Sequence, residues 1–366
     1  MIRSAIFPGR YIQGENALSV LSREISRFGK RALLLLTHYA YNNLLESIKS
    51  FIGDEIAPIY EEFGGECSDE EIDRITSIGK SGSVDVIIGI GGGKTLDTAK
   101  VTAYNLGVPV IIVPTIASTD APCSANSVIY TESGEFKRYF MLPRNPDTVL
   151  VDTTIIANAP VRFLVSGMGD ALSTKFEAES CREKYANNLS GYKGSITAYE
   201  LANLCYNILM EYGRIAKVSC ESNVVTPAFD YVVEANTLLS GLGFESGGLA
   251  AAHAIHNGLT VLSQTHKYYH GEKVAFGTLA SLFLTDKERE TIEEVYHFCM
   301  KVGLPITLED IGLRDVSDDD LMRVAEAACR KDETIHNEPR PIEPVDVFNA
   351  LKVADLYGKD HKAGYY

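Results

Sequence analysis

The stretch "VDVIIGIGGGKTLDTAK", residues 84–100, places three consecutive glycines and a Lys-Thr pair between an apolar run and a segment of helical character. The backbone N–H groups of such a turn bind phosphate oxygens. A Walker loop needs a glycine where Ile88 stands, and the third glycine of the dinucleotide fingerprint falls on Lys94. We therefore predict a phosphate-binding loop of a third kind, in which Lys94 adds positive charge.

Four of the eight histidines lie close together in the sequence, at positions 253, 256, 266 and 270. His253 and His256 share one face of a predicted helix, and His270 comes directly before the next helix. Two histidines brought together from adjacent helix ends could bind a divalent metal if a carboxylate joined them. The alternative is that they are ordinary helix histidines, partly exposed or hydrogen-bonded. The clustering alone leaves both interpretations open.

Asp170, in "VSGMGDALSTKFEA", is the candidate for that carboxylate. Gly167 and Gly169 precede it and let the backbone approach another element closely, which suits an acid that points into a cleft. An Asp after glycines is also typical of a helix N-cap, and for this segment by itself the N-cap is the simpler interpretation.

The segment "VPTIASTDAPCS", residues 113–124, follows a predicted buried strand and is rich in hydroxyl side chains. Loops at the carboxyl ends of parallel strands bind the ligands of open α/β sheets, and hydroxyls there can donate to phosphate or sugar oxygens. Asp120 is the residue in this loop that could bind a polar substrate. The alternative is a turn-rich connection without a ligand.

Apolar runs alternate with amphipathic segments in the first part of the chain, which predicts a parallel sheet with crossover helices. The predicted strands are residues 31–37, 84–90, 108–115 and 148–152. Residues 68–79 form a predicted helix that begins with Ser68 and Glu71 as a capping box. Residues 127–141 alternate around a Ser-Gly turn and predict a hairpin attached to the sheet.

Helical spacing replaces the β-branched runs after about residue 160, for example over residues 195–213. A proline-rich break at residues 336–344 precedes a final helix near residues 345–357. We predict an α/β domain at 1–160 with a parallel dinucleotide-binding sheet, and an all-helical domain at 161–366 that binds metal and substrate. The site is expected in the cleft between the two domains.

The composition of the 366-residue chain is that of an ordinary globular protein, with 45% hydrophobic residues and a net charge of −15. This charge argues against a nucleic-acid or anionic-membrane partner. The seven cysteines form no CxxC pair, which predicts a reducing, cytoplasmic compartment. The N-terminal segment lacks the apolar core of a signal peptide, and we expect no membrane span.

Five segments together resemble the iron-containing alcohol dehydrogenase superfamily and, within it, the glycerol dehydrogenases. They are "GGGKTLDTAK", "PTIASTDAPCS", "GMGDALSTKFEA", "GGLAAAHAIHNGLT" and "HGEKVAFGTL". The resemblance extends over essentially the whole chain. It implies NAD-dependent oxidation of glycerol or a related vicinal diol to the hydroxyketone, with a three-ligand zinc that polarises the substrate oxygens. It also implies a homo-oligomer, commonly an octamer.

The resemblance further implies roles for particular residues. The cofactor-binding residues would be Gly91, Gly92, Gly93, Lys94, Thr95, Asp97, Thr115, Ser118, Ser124 and Tyr130. The zinc ligands would be Asp170, His253 and His270. Asp120 would hydrogen-bond the polyol, and His256 would be a site histidine that is not a ligand and that could help pass a proton to water.

Two positions depart from the family pattern. Iron-dependent relatives carry a fourth ligand, a histidine, where this chain has Thr174, and three ligands favour zinc over iron. NAD-specific relatives often carry an acid after the strand at 31–37, where this chain has Thr37 and His38. The resemblance favours NAD over NADP. The sequence, however, shows no obvious acidic residue at this position to bind the ribose hydroxyls.

Three other functions are compatible with these residues. They are a dehydrogenase for a phosphorylated polyol, a lyase resembling dehydroquinate synthase that uses NAD transiently, and a nucleotide-binding protein with an inactive site. Glycerol, propane-1,2-diol, butane-2,3-diol and hydroxyacetone all offer a metal the same pair of adjacent oxygens, so the sequence does not choose between them.

Overall fold

Short apolar runs of the sequence become strands, and the segments between and after them become helices. The structure, a computed structural model, describes residues 1–365. Within these residues the strands are β1 Arg3–Ser4, β2 Tyr11–Gly14, β3 Arg31–Leu36, β4 Ala57–Glu62, β5 Val86–Gly91, β6 Val110–Pro114, β7 Asn126–Tyr130, β8 Phe136–Met141, β9 Thr148–Asp152 and β10 Lys193–Gly194. The α-helices of the same residues are α1 Leu21–Ser26, α2 His38–Asn43, α3 Leu45–Phe51, α4 Asp69–Ser81, α5 Gly93–Leu106, α6 Thr153–Ala157, α7 Val161–Lys184, α8 Ile196–Glu221, α9 Pro227–Glu234, α10 Ser240–Gly247, α11 Ala251–Leu259, α12 His270–Leu284, α13 Arg289–Val302, α14 Asp318–Ala328 and α15 Pro344–Ala363.

These elements form two units. The α/β unit contains Ile6–Pro160 and Ser219–Leu238, and the helical unit contains Met1–Ala5, Val161–Val218 and the described residues from Leu239 onward. The units are therefore not the two continuous ranges, 1–160 and 161–366, predicted from the sequence. Side chains of β2 form hydrogen bonds with residues 219–238, which the prediction had placed in the helical domain: Tyr11 with the Thr237 hydroxyl, and Gln13 with the Asp230 carbonyl. Contacts between segments so far apart in the sequence cannot be predicted from the local hydropathy pattern.

A six-stranded sheet in the order β2-β9-β6-β5-β3-β4 is the centre of the α/β unit, and every neighbouring pair is parallel. From β3 the chain moves outward to β4, whereas from β5 it moves through β6 to β9 in the opposite direction. The strand order thus reverses between β3 and β5. Open α/β sheets bind their ligands at the carboxyl ends of the strands at such a point.

Leu and Ile side chains of the central strands account for the core of this unit. Leu34, Leu36, Ile88 and Ile90 are fully buried in it, together with Val113 of β6. Strands buried on both faces are expected to be continuous apolar runs, which is why their sequences identified them. The four predicted strands are confirmed as β3, β5, β6 and β9, with ends within two residues of the predicted ones.

Residues 127–141 form an antiparallel hairpin of β7 and β8, as predicted, but this hairpin is a separate two-stranded sheet. Ile129 packs beside Ile72 of α4 and Val101 of α5, so the hairpin contacts the helices that cover the main sheet. The predicted N-terminus of α4 is confirmed in part. The Ser68 hydroxyl accepts from the Glu71 N–H, whereas the Glu71 carboxylate accepts from the Gly64 N–H and not from Ser68.

The helical unit contains the long helices predicted after residue 160. The helix predicted at 195–213 is the first part of α8, which begins one residue later, and the final predicted helix extends further in both directions as α15. The two-residue strands β1 and β10 pair in parallel in this unit. None of the helices within residues 1–365 has the length and apolar character needed to cross a bilayer.

Candidate active site

Three side chains of metal-ligand type meet in the helical unit: Asp170 of α7, His253 of α11 and His270 at the start of α12. His270 Nε2 lies 3.1 Å from Asp170 Oδ1, and His253 Nε2 lies 3.5 Å from the same oxygen. All three ligand atoms lie within 4.8 Å of one another. Ligands of a tetrahedral zinc, each at about 2.0–2.2 Å from the ion, are about 3.4 Å apart. The donor set and its spacing therefore fit a divalent metal ion.

Two glycines allow this meeting, because α7 and α12 cross at them. A Cβ on Gly169 would lie 2.3 Å from the Gly271 carbonyl oxygen, and a Cβ on Gly271 would lie 1.8 Å from the Ser166 carbonyl oxygen. The close approach predicted for Gly169 is thus present. The N-cap interpretation of Asp170 is wrong, because α7 begins at Val161 and Asp170 lies in its interior, fully buried.

A buried carboxylate holds His253 in place. Glu177 Oε2 lies 2.6 Å from His253 Nδ1, while Glu177 Oε1 accepts from the backbone N–H groups of Ala250 and His253. This contact keeps the proton on Nδ1 and turns Nε2 toward Asp170, as is usual for histidines that ligate metals. Glu177 was not predicted as a site residue, although it lies seven residues after Asp170 and so on the same face of a helix.

A chain of hydrogen bonds holds His270. His270 Nδ1 lies 3.1 Å from His256 Nε2, His256 Nδ1 lies 3.1 Å from Asn257 Oδ1, and Asn257 Nδ2 donates to Glu333 Oε2 at 2.9 Å. If His270 offers Nε2 to a metal, its Nδ1–H donates to His256, and His256 Nδ1–H donates to Asn257. Each donor then faces an acceptor. This assignment requires a neutral His256, and burial, with the nearby His270 and Lys273, lowers the pKa of His256 well below its usual value.

The charges of the cluster suit a cation. Burial alone would raise the pKa of Asp170, but His270 and His253 outweigh it and hold that pKa below its usual value. Burial alone would lower the pKa of His253, but Glu177 and Asp170 raise it well above its usual value. The site therefore attracts positive charge, and a metal ion would take the place of a bound proton. Thr174, where the sequence analysis expected no fourth ligand, forms a hydrogen bond with the Ser240 hydroxyl, with the two oxygens 2.8 Å apart.

The glycine loop of the α/β unit lies at the switch point between β3 and β5. A Cβ on Gly91 would lie 2.3 Å from Thr37 Cγ2, so only glycine lets the loop pass beside β3. Gly92 precedes α5 without a capping side chain, and a Cβ on Gly93 would meet nothing within 4 Å. The N-terminus of α5 is therefore open beside Gly93, which fits a phosphate group.

Lys94 and Tyr130 lie together beside this loop. The Lys94 ammonium lies 2.6 Å from Glu66 Oε2 and 4.9 Å from the centre of the Tyr130 ring. The ammonium is thus paired with a carboxylate. Among the other predicted cofactor residues, Thr95 is buried at the first turn of α5.

Asp97 is directed toward the hairpin. Its Oδ2 accepts from the Val128 N–H at 2.9 Å, and its Oδ1 lies 3.2 Å from the buried Lys100 ammonium. Lys100 in turn donates to the carbonyl oxygens of Ala121 and Asn126. Lys100 was not predicted as a site residue, because a lysine on an amphipathic helix usually lies in solvent. Here it holds the loop that contains the predicted substrate residue.

The loop after β6 begins beside the glycines, since Thr115 donates its backbone N–H to the Gly91 carbonyl at 3.0 Å. Thr115 and Asp120 are buried, and Ser118 is half-buried. Ser124 is buried and donates its hydroxyl to the Ala121 carbonyl, within the loop. This loop and the glycine loop are therefore neighbours at the carboxyl edge of the sheet.

An acidic residue, Glu62, lies beside Thr37 and His38, but it comes from the end of β4 and not from the segment after β3. Thr37 caps α2, and His38 Nδ1 contacts the Glu62 carboxylate at the end of β4. Strand β4 was not predicted, because its sequence "APIYEE" has neither an apolar run nor a strict alternation of apolar and polar residues. Glu62 was missed for that reason.

Comparison with known proteins places these observations in one family. Residues 8–153 match the iron-containing alcohol dehydrogenase family. The chain is 64% identical over 362 residues to a glycerol dehydrogenase of Thermotoga maritima, which covers 99% of each protein. It is 51% identical over 357 residues to a glycerol dehydrogenase of Escherichia coli, at 96% coverage of each. The crystal structure of glycerol dehydrogenase from Schizosaccharomyces pombe matches with a TM-score of 0.94 at 40% identity, covering 100% of this chain and 94% of that one.

Proposed function

The chain belongs to the iron-containing alcohol dehydrogenase family, and we propose that it oxidises glycerol or a related vicinal diol to the hydroxyketone with NAD. It is a metal-dependent polyol dehydrogenase. The observation that carries the proposal is the group of Asp170, His253 and His270, whose ligand atoms converge within 4.8 Å. Catalytic metal sites of this kind have three protein ligands and leave a coordination position for substrate.

Zinc is the metal we propose, because Thr174 leaves three protein ligands. When bound, the metal ion supplies Lewis-acid polarisation of the substrate oxygens, and the nicotinamide supplies hydride acceptance. The protein's own contribution is positioning. Glu177 fixes the ring of His253, and the partners behind His270 fix the second imidazole.

For His256 we propose a positioning role in place of the proton transfer predicted from the sequence. Both of its ring nitrogens are engaged, Nε2 with His270 and Nδ1 with Asn257. A buried imidazole kept neutral accepts the hydrogen bond from His270 Nδ1–H and does not compete for the metal. Asp120 remains the residue that we propose for holding a substrate hydroxyl.

The glycine loop supports NAD as the cofactor, through residues 91–95 and the open N-terminus of α5. Thr115 and Ser118 follow in the loop after β6, with Ser124 and Tyr130 beyond them. Glu62 supports NAD over NADP, because a carboxylate beside His38 would accept from a ribose hydroxyl and would repel a 2′-phosphate. A homo-oligomer and a cytoplasmic location remain predictions from the sequence.

The test is NADH formation from NAD and glycerol by one preparation, assayed as purified, after chelation, and after zinc is restored, with NADP in parallel. We expect turnover that chelation abolishes and zinc restores, and rates with NADP that are far lower. Turnover that persists after the metal is removed would refute the metal-dependent mechanism. Equal rates with NADP would refute the role given to Glu62.

A further inference from the structure

A second group of metal-ligand side chains lies between α13 and α15, formed by residues outside the proposed active site. Glu293 and His297 are one turn apart on α13, and His361 is near the end of α15. One ligand atom from each residue lies within 4.8 Å of the others. We propose that these three residues form a second metal site, for a divalent transition-metal ion such as Zn²⁺, that ties α13 to α15.

The spacing fits such an ion. Glu293 Oε2 and His361 Nε2 are 3.2 Å apart, close to the separation of about 3.4 Å between ligands of a tetrahedral zinc. His297 is exposed, so its side chain can rotate to close the remaining gap and an ion can enter from solvent. Two imidazoles and one carboxylate select Zn²⁺, Ni²⁺, Co²⁺ or Cu²⁺ over Mg²⁺ and Ca²⁺, which prefer oxygen ligands.

Two of the three ligands are already held in place. The Tyr357 hydroxyl donates to Glu293 Oε1 at 2.6 Å, which leaves Oε2 directed at His361. The His361 ring stacks on Tyr296 with the ring centres 5.1 Å apart. Burial lowers the pKa of His361, and a neutral imidazole is the form that binds metal. Preorganised partners of this kind strengthen a metal site.

An explanation without a metal is a hydrogen bond between His361 and Glu293 inside an aromatic cluster. Arg289 Nε, 3.7 Å from Glu293 Oε1, also neutralises part of the carboxylate charge. That explanation needs only Glu293 and His361, whereas a metal site needs His297 as well. Replacing His297 therefore separates the two explanations. Its side chain is exposed, and of the buried aromatic cluster its ring meets that of His361, edge-on with the ring centres 5.4 Å apart.

The experiment is a calorimetric titration of Zn²⁺ into the chelator-treated full chain. The variants are Asp170→Asn, His297→Ala and the double variant. His336→Ala is the matched control, since His336 is an exposed histidine of the same unit outside both groups. We expect two equivalents of Zn²⁺ in the wild type and in His336→Ala. Each single variant at a proposed site should keep one equivalent.

Asp170→Asn should still bind one Zn²⁺ at the second site. In the double variant this ion should bind at least about 10-fold more weakly, because losing a ligand weakens a metal site more than losing a hydrogen-bond partner of a ligand. The same titration of His297→Ala keeps the test independent of whether Asp170→Asn folds normally. A single equivalent in the wild type that His297→Ala retains would overturn the proposal, whereas its loss in His297→Ala and retention in Asp170→Asn would place it at the second site. Two equivalents in His297→Ala would also overturn the proposal, because the second ion would then lie elsewhere.

Discussion

At the scale of single residues, the two imidazoles of the proposed active site are held by different partners. A buried carboxylate stands behind His253, and a neutral imidazole stands behind His270. A carboxylate partner increases the basicity of the ligand and fixes its tautomer. The two imidazoles proposed as metal ligands are therefore oriented by residues that are not themselves proposed ligands.

Replacement of Glu177 tests this conclusion. In Glu177→Gln the one remaining side-chain oxygen can keep the backbone N–H groups of Ala250 and His253. The NH₂ group then faces His253 Nδ1, and the acceptor that keeps the proton on Nδ1 is lost. We expect the affinity for Zn²⁺ at this site to fall about 10- to 100-fold, with the fold retained. The matched control is Glu338→Gln, another buried carboxylate, which accepts from the Ala251 N–H at the same end of α11. Equal affinities in both variants would show that Glu177 does not orient His253.

The pKa of Glu338 gives a prediction for stability. Burial, opposed by hydrogen bonds from Ser180 and Ala251 and aided by Glu177, raises this pKa to about 7. The folded state thus holds the proton more tightly than the unfolded state, whose pKa is near 4.5. The contribution to the free energy of unfolding is complete below pH 4.5 and is lost as the pH rises toward 7.

Between pH 5 and pH 8 this loss amounts to about 2 kcal/mol. Glu338→Gln cannot ionise at this position. From pH 5 to pH 8 its free energy of unfolding should therefore fall by about 2 kcal/mol less than that of the wild type. Denaturant unfolding of both proteins at the two pH values measures the difference. Parallel pH dependence would show that Glu338 titrates normally.

At the scale of elements, the crossing of α7 and α12 brings Asp170 to His270. Gly271→Ala would place a methyl group against the Ser166 carbonyl, and overpacking of this kind costs about 1–3 kcal/mol. We expect a lower Tm and weaker binding of Zn²⁺, because the helices must separate. Differential scanning calorimetry and a Zn²⁺ titration measure the two effects.

Gly93→Ala is the contrasting substitution, because a Cβ there meets nothing within 4 Å. Its Tm should match that of the wild type, while its affinity for NAD should fall as the methyl group fills the space beside the α5 N-terminus. A Gly93→Ala variant that binds NAD normally would place the pyrophosphate elsewhere. An unchanged Tm in Gly271→Ala would mean that the helices do not need the glycine contact.

At the scale of the whole molecule, the proposed cofactor loop lies in the α/β unit and both proposed metal sites lie in the helical unit. The metal ligands of the proposed active site come from α7, α11 and α12, so a bound ion links three helices of the helical unit. Zn²⁺ at 100 times its dissociation constant adds about 2.7 kcal/mol to the free energy of unfolding. We expect the rise in Tm with Zn²⁺ to be larger in the wild type than in Asp170→Asn. The same rise in both proteins would contradict the assignment of Asp170 as a ligand.

The sequence by itself determined the elements whose signals are local. Apolar runs marked β3, β5, β6 and β9 because strands buried on both faces need no alternation. The glycine loop was identifiable because close backbone approach to a neighbour excludes a side chain. The residue types of a metal site were visible too, but clustering along the chain left their role open.

Only the tertiary structure decided what depends on contacts between distant segments. It placed Asp170 inside α7 instead of at its start, brought Glu177 behind His253, and supplied Glu62 from a strand without a clear sequence pattern. It also joined residues 219–238 to the α/β unit and His361 to Glu293. Periodicity and propensity report each residue's own helix or strand, whereas these pairings are fixed by the packing of elements that the sequence separates.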